Sequence, residues 1–159
     1  MRTAPARGFT YIELIVTLAI VAVLASVAAP VAHIVAQRER EVALREALRD
    51  IRGGIDAYKH AAEQGRIALK PEQTGYPPRL EDLVDGTVDQ SRPDGARLYF
   101  LRAIPRDPMC NDATKANAET WAARAYASPP DAPAPGDDVY DVHSASTQVG
   151  LDGIPYSRW

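Results

Sequence analysis

The stretch that decides the fold is Gly8-Phe9-Thr10-Tyr11-Ile12-Glu13-Leu14, which opens an apolar run reaching Val35. Residues 14–35 carry no side chain charged at neutral pH and are interrupted only by Thr17, Ser26, Pro30 and His33. Crossing a bilayer takes about 20 apolar residues at ~1.5 Å rise each, and in lipid only a helix satisfies its own backbone. The run therefore predicts a membrane-spanning helix. Arg2 and Arg7 precede it, whereas Arg38, Glu39, Arg40 and Glu41 after it balance in charge, so the N-terminus is expected in the cytoplasm and the rest outside. Glu13 is the oddity, because a carboxylate at the head of a membrane span costs on the order of a few kcal/mol and marks a functional position.

Three plain readings compete for this N-terminus: a signal anchor, a secretory signal peptide with small residues at Ser26-Val27-Ala28, and a buried helix of a soluble protein. The first two explain the basic leader and the apolar run but leave Glu13 without a purpose. The uncharged length argues against the third. Gly8 has no side chain to obstruct a peptidase reaching an extended backbone, so Gly8–Phe9 reads as a processing point. Cleavage there frees an amine on Phe9. Glu13 lies about one turn further in, where the amine of an adjacent copy reaches it better than the amine of its own chain.

Gly8-Phe9-Thr10-Tyr11-Ile12-Glu13-Leu14 resembles the class III signal of type IV pilins and of type II secretion pseudopilins, whose pattern is G-F-T-(L/x)-I-E-L. The resemblance implies cleavage after Gly8 by a membrane prepilin peptidase, N-methylation of Phe9, and assembly roles for Glu13 and Pro30. It further implies a leader at 1–8, a transmembrane helix half at 9–35, an amphipathic periplasmic half at 36–65 and a globular head at 66–159. The fold class is then α+β: a long N-terminal helix packed on a small antiparallel sheet. Pro30 lacks an amide hydrogen and crowds the carbonyl of Ser26, which predicts a loosened turn in a helix that nonetheless continues.

Leu44, Leu48, Ile51, Ile55 and Tyr58 recur at spacings of four and three, a helical stripe widened by Ala47, Ala57 and Ala61. Glu41/Arg45, Arg52/Asp56 and Lys59/Glu63 are opposite charges four apart, expected to pair along the other face. Gly53-Gly54 is a weak point that permits a bend or close packing. Gly65 is a natural stop, so the helix is expected from Thr10 to about Gln64.

Most of the prolines lie beyond residue 65. Arg79 to Val84 predicts a short helix, Leu98 to Leu101 an apolar patch, and Pro105 and Pro108 a tight turn. Trp121 to Ala127 and Val139 to His143 predict a hairpin joined by the Pro-rich loop 128–138. The order Tyr76-Pro77, Ile104-Pro105-Arg106-Asp107-Pro108, Tyr140-Asp141-Val142-His143-Ser144 resembles the major pseudopilin of type II secretion systems. That pattern is Y-P … (L/I)-P-x-D-P … (Y/F)-D-(I/V)-x-S. Many of these relatives have W-G-N after the second proline, where this chain has Met109-Cys110-Asn111 and an inserted-looking stretch from Asp112 to Thr120.

The C-terminal loop of many such pseudopilins is acidic and binds calcium. Here residues 144–153 hold fewer carboxylates, which leaves Asp141 and Asp152, with Asp137 and Asp138 upstream, as the possible calcium ligands. The single cysteine, Cys110, excludes an intramolecular disulfide, which separates the chain from the many type IV major pilins that close a loop with one.

The formal charge of -3 gives no argument for nucleic acid. No nucleophile–base pair, phosphate loop or metal-hydrolase spacing occurs, His33 and His60 read as structural, and an enzyme is not expected. The implied partners are other copies of the chain in a helical polymer, the prepilin peptidase, minor pseudopilins, the assembly platform of the secretion system and the inner membrane. The alternatives are a pilin or competence pseudopilin filament, used in adhesion, motility or DNA uptake, and a signal-anchored periplasmic binding module.

Overall fold

In a computed structural model, residues 8–159 are described, apart from the side chains of residues 27–30. Helix α1 runs Tyr11–Glu63 without a break and passes through position 30. The expected helix therefore forms, ending one residue early, where Gly65 takes φ +71 and Arg66 N–H returns to the Ala61 carbonyl. The short helix α2, Asp82–Asp85, follows. Strand β1, Thr87–Val88, pairs antiparallel with β2, Arg97–Leu98. Strand β3, Trp121–Arg124, pairs antiparallel with β4, Asp141–Ser144, in the register Trp121–Ser144 to Arg124–Asp141. Two 3₁₀ turns, Ala118–Thr120 and Tyr156–Arg158, complete the order. This is the α+β architecture expected from the sequence, with the β3–β4 hairpin in the predicted place but shorter. The β1–β2 hairpin is an addition to the architecture expected from the sequence.

The chain divides into two compact units after Glu39. In the first, α1 contains a stretch long and apolar enough to cross a membrane, and none of it is buried. Thr17 and Ser26 turn their hydroxyls back onto the carbonyls of Leu14 and Val23, at 2.9 and 2.7 Å. A hydroxyl bonded back to its own helix in this way needs no water partner.

The second unit begins at Arg40 and has its own core. Leu44, Leu48, Ile51, Ile55 and Tyr58 are all buried, and they cluster with Leu83, Met109, Trp121, Val142 and Tyr156. The stripe of alternating spacings is therefore the seam against this chain's own β3–β4 layer. Ala47 and Ala61 belong to it, but Ala57 is exposed and does not. Gly54 is buried where a Cβ would stand 2.9 Å from Leu101 Cγ, whereas Gly53 is exposed and faces open space. Close packing, one of the two roles open to this pair, thus falls to Gly54.

Two of the three expected charge pairs along α1 do not form. Lys59 and Glu63 pair at 3.4 Å. Arg52 turns instead to Asp141 at 2.7 Å and Arg45 to Asp152 at 3.5 Å, while Glu41 is buried. The stripe of core residues curves round the helix far enough that positions 41, 45 and 52 border the C-terminal segment. A partner from another element is closer there than one along the helix.

The head is also tied by buried polar groups. Asp89, 1% exposed, accepts from Arg66 Nη2 at 2.5 Å and from Ser91 Oγ at 2.6 Å. The Arg66 guanidinium and the Ser91 hydroxyl hold its carboxyl well below the usual carboxylate range. Two of the segments singled out in the sequence meet in the core: Ser144 Oγ donates to Asp107 Oδ2 at 2.6 Å, with both residues buried. Asp107 Oδ1 also accepts from Met109 N–H at 2.8 Å, and Asp107 N–H donates to Thr120 Oγ1 at 3.1 Å.

Candidate processing and assembly site

Gly8 precedes α1 in irregular, exposed backbone, and no atom lies within 4 Å of where its Cβ would be. Phe9 follows it at 84% exposure. A peptidase approaching the Gly8–Phe9 bond meets an accessible main chain with no side chain on one side of it. The leader residues before Gly8 lie outside the described residues, as does the side chain of Pro30.

The first turn of α1 has a feature not drawn from the sequence. Glu13 N–H donates to Thr10 Oγ1 at 3.3 Å, and Thr10 N–H donates to Glu13 Oε2 at 3.5 Å. This is a capping box, in which two backbone donors that a helix start leaves without partners are satisfied reciprocally. The signal was in the sequence as Thr-x-x-Glu immediately before an apolar run. Glu13 therefore has a partner inside its own chain, and its negative charge sits at the positive end of the helix dipole. The long capping bond leaves the carboxylate exposed and able to take a further cationic partner.

Beyond Glu13, Leu14, Leu18, Val21, Val23 and Leu24 are each at least 60% exposed. An apolar surface all round a helix has two physical destinations, lipid and the apolar surfaces of other helices.

Asp141 and Asp152 each already accept from groups on other residues. Asp141 Oδ1 accepts from Arg52 Nε and from its neighbour Val142 N–H, and Asp152 accepts from Arg45 and from Ile154 N–H. Asp138 accepts from Thr74 and from Tyr126 N–H, leaving Asp137 exposed on its own. Among the described residues, no group of three or more His, Cys, Asp or Glu side chains stands where it could hold a metal ion. Calcium takes six to eight oxygens, and the carboxylates of Asp138, Asp141 and Asp152 already serve as acceptors for other groups of the chain.

No curated protein and no solved structure gives a significant match to the chain. Residues 4–29 match the prokaryotic N-terminal methylation motif. The matched segment contains Gly8, Phe9, the Thr10–Glu13 capping box and most of the exposed apolar helix, so motif and geometry fall on the same residues. The chain therefore carries a prepilin signal of the type IV pilin-like kind, at the head of a long helix joined to a small α+β head.

Proposed function

We propose that this chain is a structural subunit of the periplasmic pseudopilus of a type II secretion system. It is clipped after Gly8 by prepilin peptidase, methylated on Phe9 and polymerised from the inner membrane to drive folded proteins across the outer membrane. The observation that carries this reading is the accessible Gly8–Phe9 bond one turn ahead of a single carboxylate, at the start of a helix whose apolar side chains are exposed among the described residues. Support for a pseudopilin over a pilin comes from the single cysteine and from the Asp107–Ser144 bond, which gives the resembling motifs a shared structural purpose.

In the filament, Glu13 is neutralised by the Phe9 amine of the adjacent subunit. That contact offsets the burial cost of two charges and sets the axial register. The minor pseudopilins and the inner-membrane platform are the partners this role requires. The chain does no chemistry of its own.

Mass spectrometry of the protein from its native host tests the scheme. The expected mature chain begins at N-methylated Phe9; any other N-terminus overturns processing and assembly together. Glu13→Leu should be processed normally yet fail to assemble, and filaments of normal yield from that variant would refute the register role. Deleting the gene should abolish exoprotein secretion. Loss of twitching or of transformation, with secretion intact, would move the protein to another filament class.

A further inference from the structure

We propose that the C-terminal segment of the head is clasped by an organic cation, the Arg52 guanidinium, in place of a metal ion. Arg52 donates through Nε to Asp141 Oδ1 at 2.7 Å and through Nη2 to Asp141 Oδ2 at 3.5 Å, to the Val142 carbonyl at 3.1 Å and to the Trp159 carbonyl at 2.8 Å. One fixed positive charge thus gathers four oxygens from two separate stretches of chain. Gathering oxygens from separate stretches of a loop is what a hard cation does for it. A planar guanidinium with five donors does the same without being exchangeable.

Two further side chains of α1 complete the clasp at the spacing of one helix face. Arg45 lies 4.0 Å over the Trp159 ring and pairs with Asp152 at 3.5 Å. Buried Glu41 accepts from Leu151 N–H at 2.8 Å and from the Tyr156 hydroxyl at 2.9 Å. Gly150 belongs to the same design, since a Cβ there would stand 2.7 Å from Asp152 Oδ1 and 2.8 Å from Trp159 Cζ2.

A divalent cation approaching Asp141 would meet the guanidinium charge in contact with both carboxylate oxygens, and among the described residues no group of three or more His, Cys, Asp or Glu side chains stands ready to hold it. The segment is therefore held at any calcium level. This inference is independent of the filament reading.

The test is thermal unfolding of the full chain in detergent micelles. Millimolar calcium chloride and EGTA should give the same Tm for the unsubstituted protein. Arg52→Gln and Asp141→Asn should each lower Tm by about 5 °C or more. The double variant should lose little beyond the larger single loss, because the two groups act on each other. A calcium-dependent rise in the Tm of the unsubstituted protein would overturn the proposal, as would an Arg52→Gln variant with unchanged Tm or strictly additive losses. If Arg52→Gln does not fold, Arg52→Lys takes its place in the cycle: it keeps the charge but cannot fork between the acceptors, and it too should lower Tm.

Discussion

Ser144 shows how a single residue links distant parts of the chain. Its hydroxyl reaches Asp107 across 37 residues of sequence, inside the core. Removing it leaves a buried carboxylate oxygen without that partner, which costs about 1–3 kcal/mol. Ser144→Ala should therefore lower the urea midpoint of the head clearly, while Ser157→Ala, at an exposed position, should leave it unmoved; equal midpoints for the two would refute the role given to this bond. The sequence contained both residues within recognisable motifs, yet their contact was not legible. A bond between a turn and a strand depends on how β4 is placed over Pro105–Pro108, and nothing local encodes that. Glu13 is the opposite case. Its odd position was plain from the sequence, and its capping bond with Thr10 was written there too as a local spacing.

Among elements, α1 was the most legible, because a periodicity sustained over many turns averages out exceptions such as Ala57. Its Gly53-Gly54 pair separates two physical effects at adjacent positions. Gly53→Ala, in an exposed helix interior with room for a Cβ, should raise stability by about 0.5–1 kcal/mol through helix propensity alone. Gly54→Ala gains the same propensity but forces Leu101 aside and should lose about 1–3 kcal/mol from overpacking. Denaturant midpoints of the two variants should move in opposite directions; a gain for both would remove Leu101 from the account. The β3–β4 hairpin was legible because Trp121 and Val142 stand in short segments separated by the Pro-rich loop 128–138. The β1–β2 hairpin was not, since strands of two residues are too short for alternation to register. Its cues are chemical: Asp94-Gly95 at the turn, with Gly95 at φ +70, and Asp89 accepting from Ser91 N–H. The charge pairs along α1 were misassigned because helical spacing lists which partners are near, not which partner from another element is nearer.

On the scale of the whole molecule, the head should weaken on acidification in two steps. His143 is half-buried, and its Nδ1 has no hydrogen-bond partner among the described residues. Burial pushes its pKa below the ordinary 6.5, against an upward pull from Asp141 that is larger than the further lowering by Arg52. The folded state therefore binds this proton less readily than the unfolded chain. The associated stability is complete above pH 6.5 and is lost as pH falls below 6.5 toward the depressed folded value. Asp89, whose carboxyl is likewise depressed, contributes stability above its ordinary 3.8 that disappears below it. His143→Gln should abolish the first step in a plot of urea midpoint against pH and keep the second; an unchanged first step would assign it to another group. The bonds from Glu41 to Leu151 and Tyr156, which span 110 and 115 residues, have a kinetic consequence. Closing loops of that length slows folding, and the closure waits for the end of the head to be made. Until Val142 and Tyr156 arrive, Leu44, Ile51 and Ile55 lack part of the layer that buries them. A chain truncated before Asp141 should be cut by trypsin at Arg52, a half-buried residue that the complete head engages through Asp141, Val142 and Trp159. The head thus matures late, and a chain that stops short of β4 leaves the apolar stripe of α1 open to proteases.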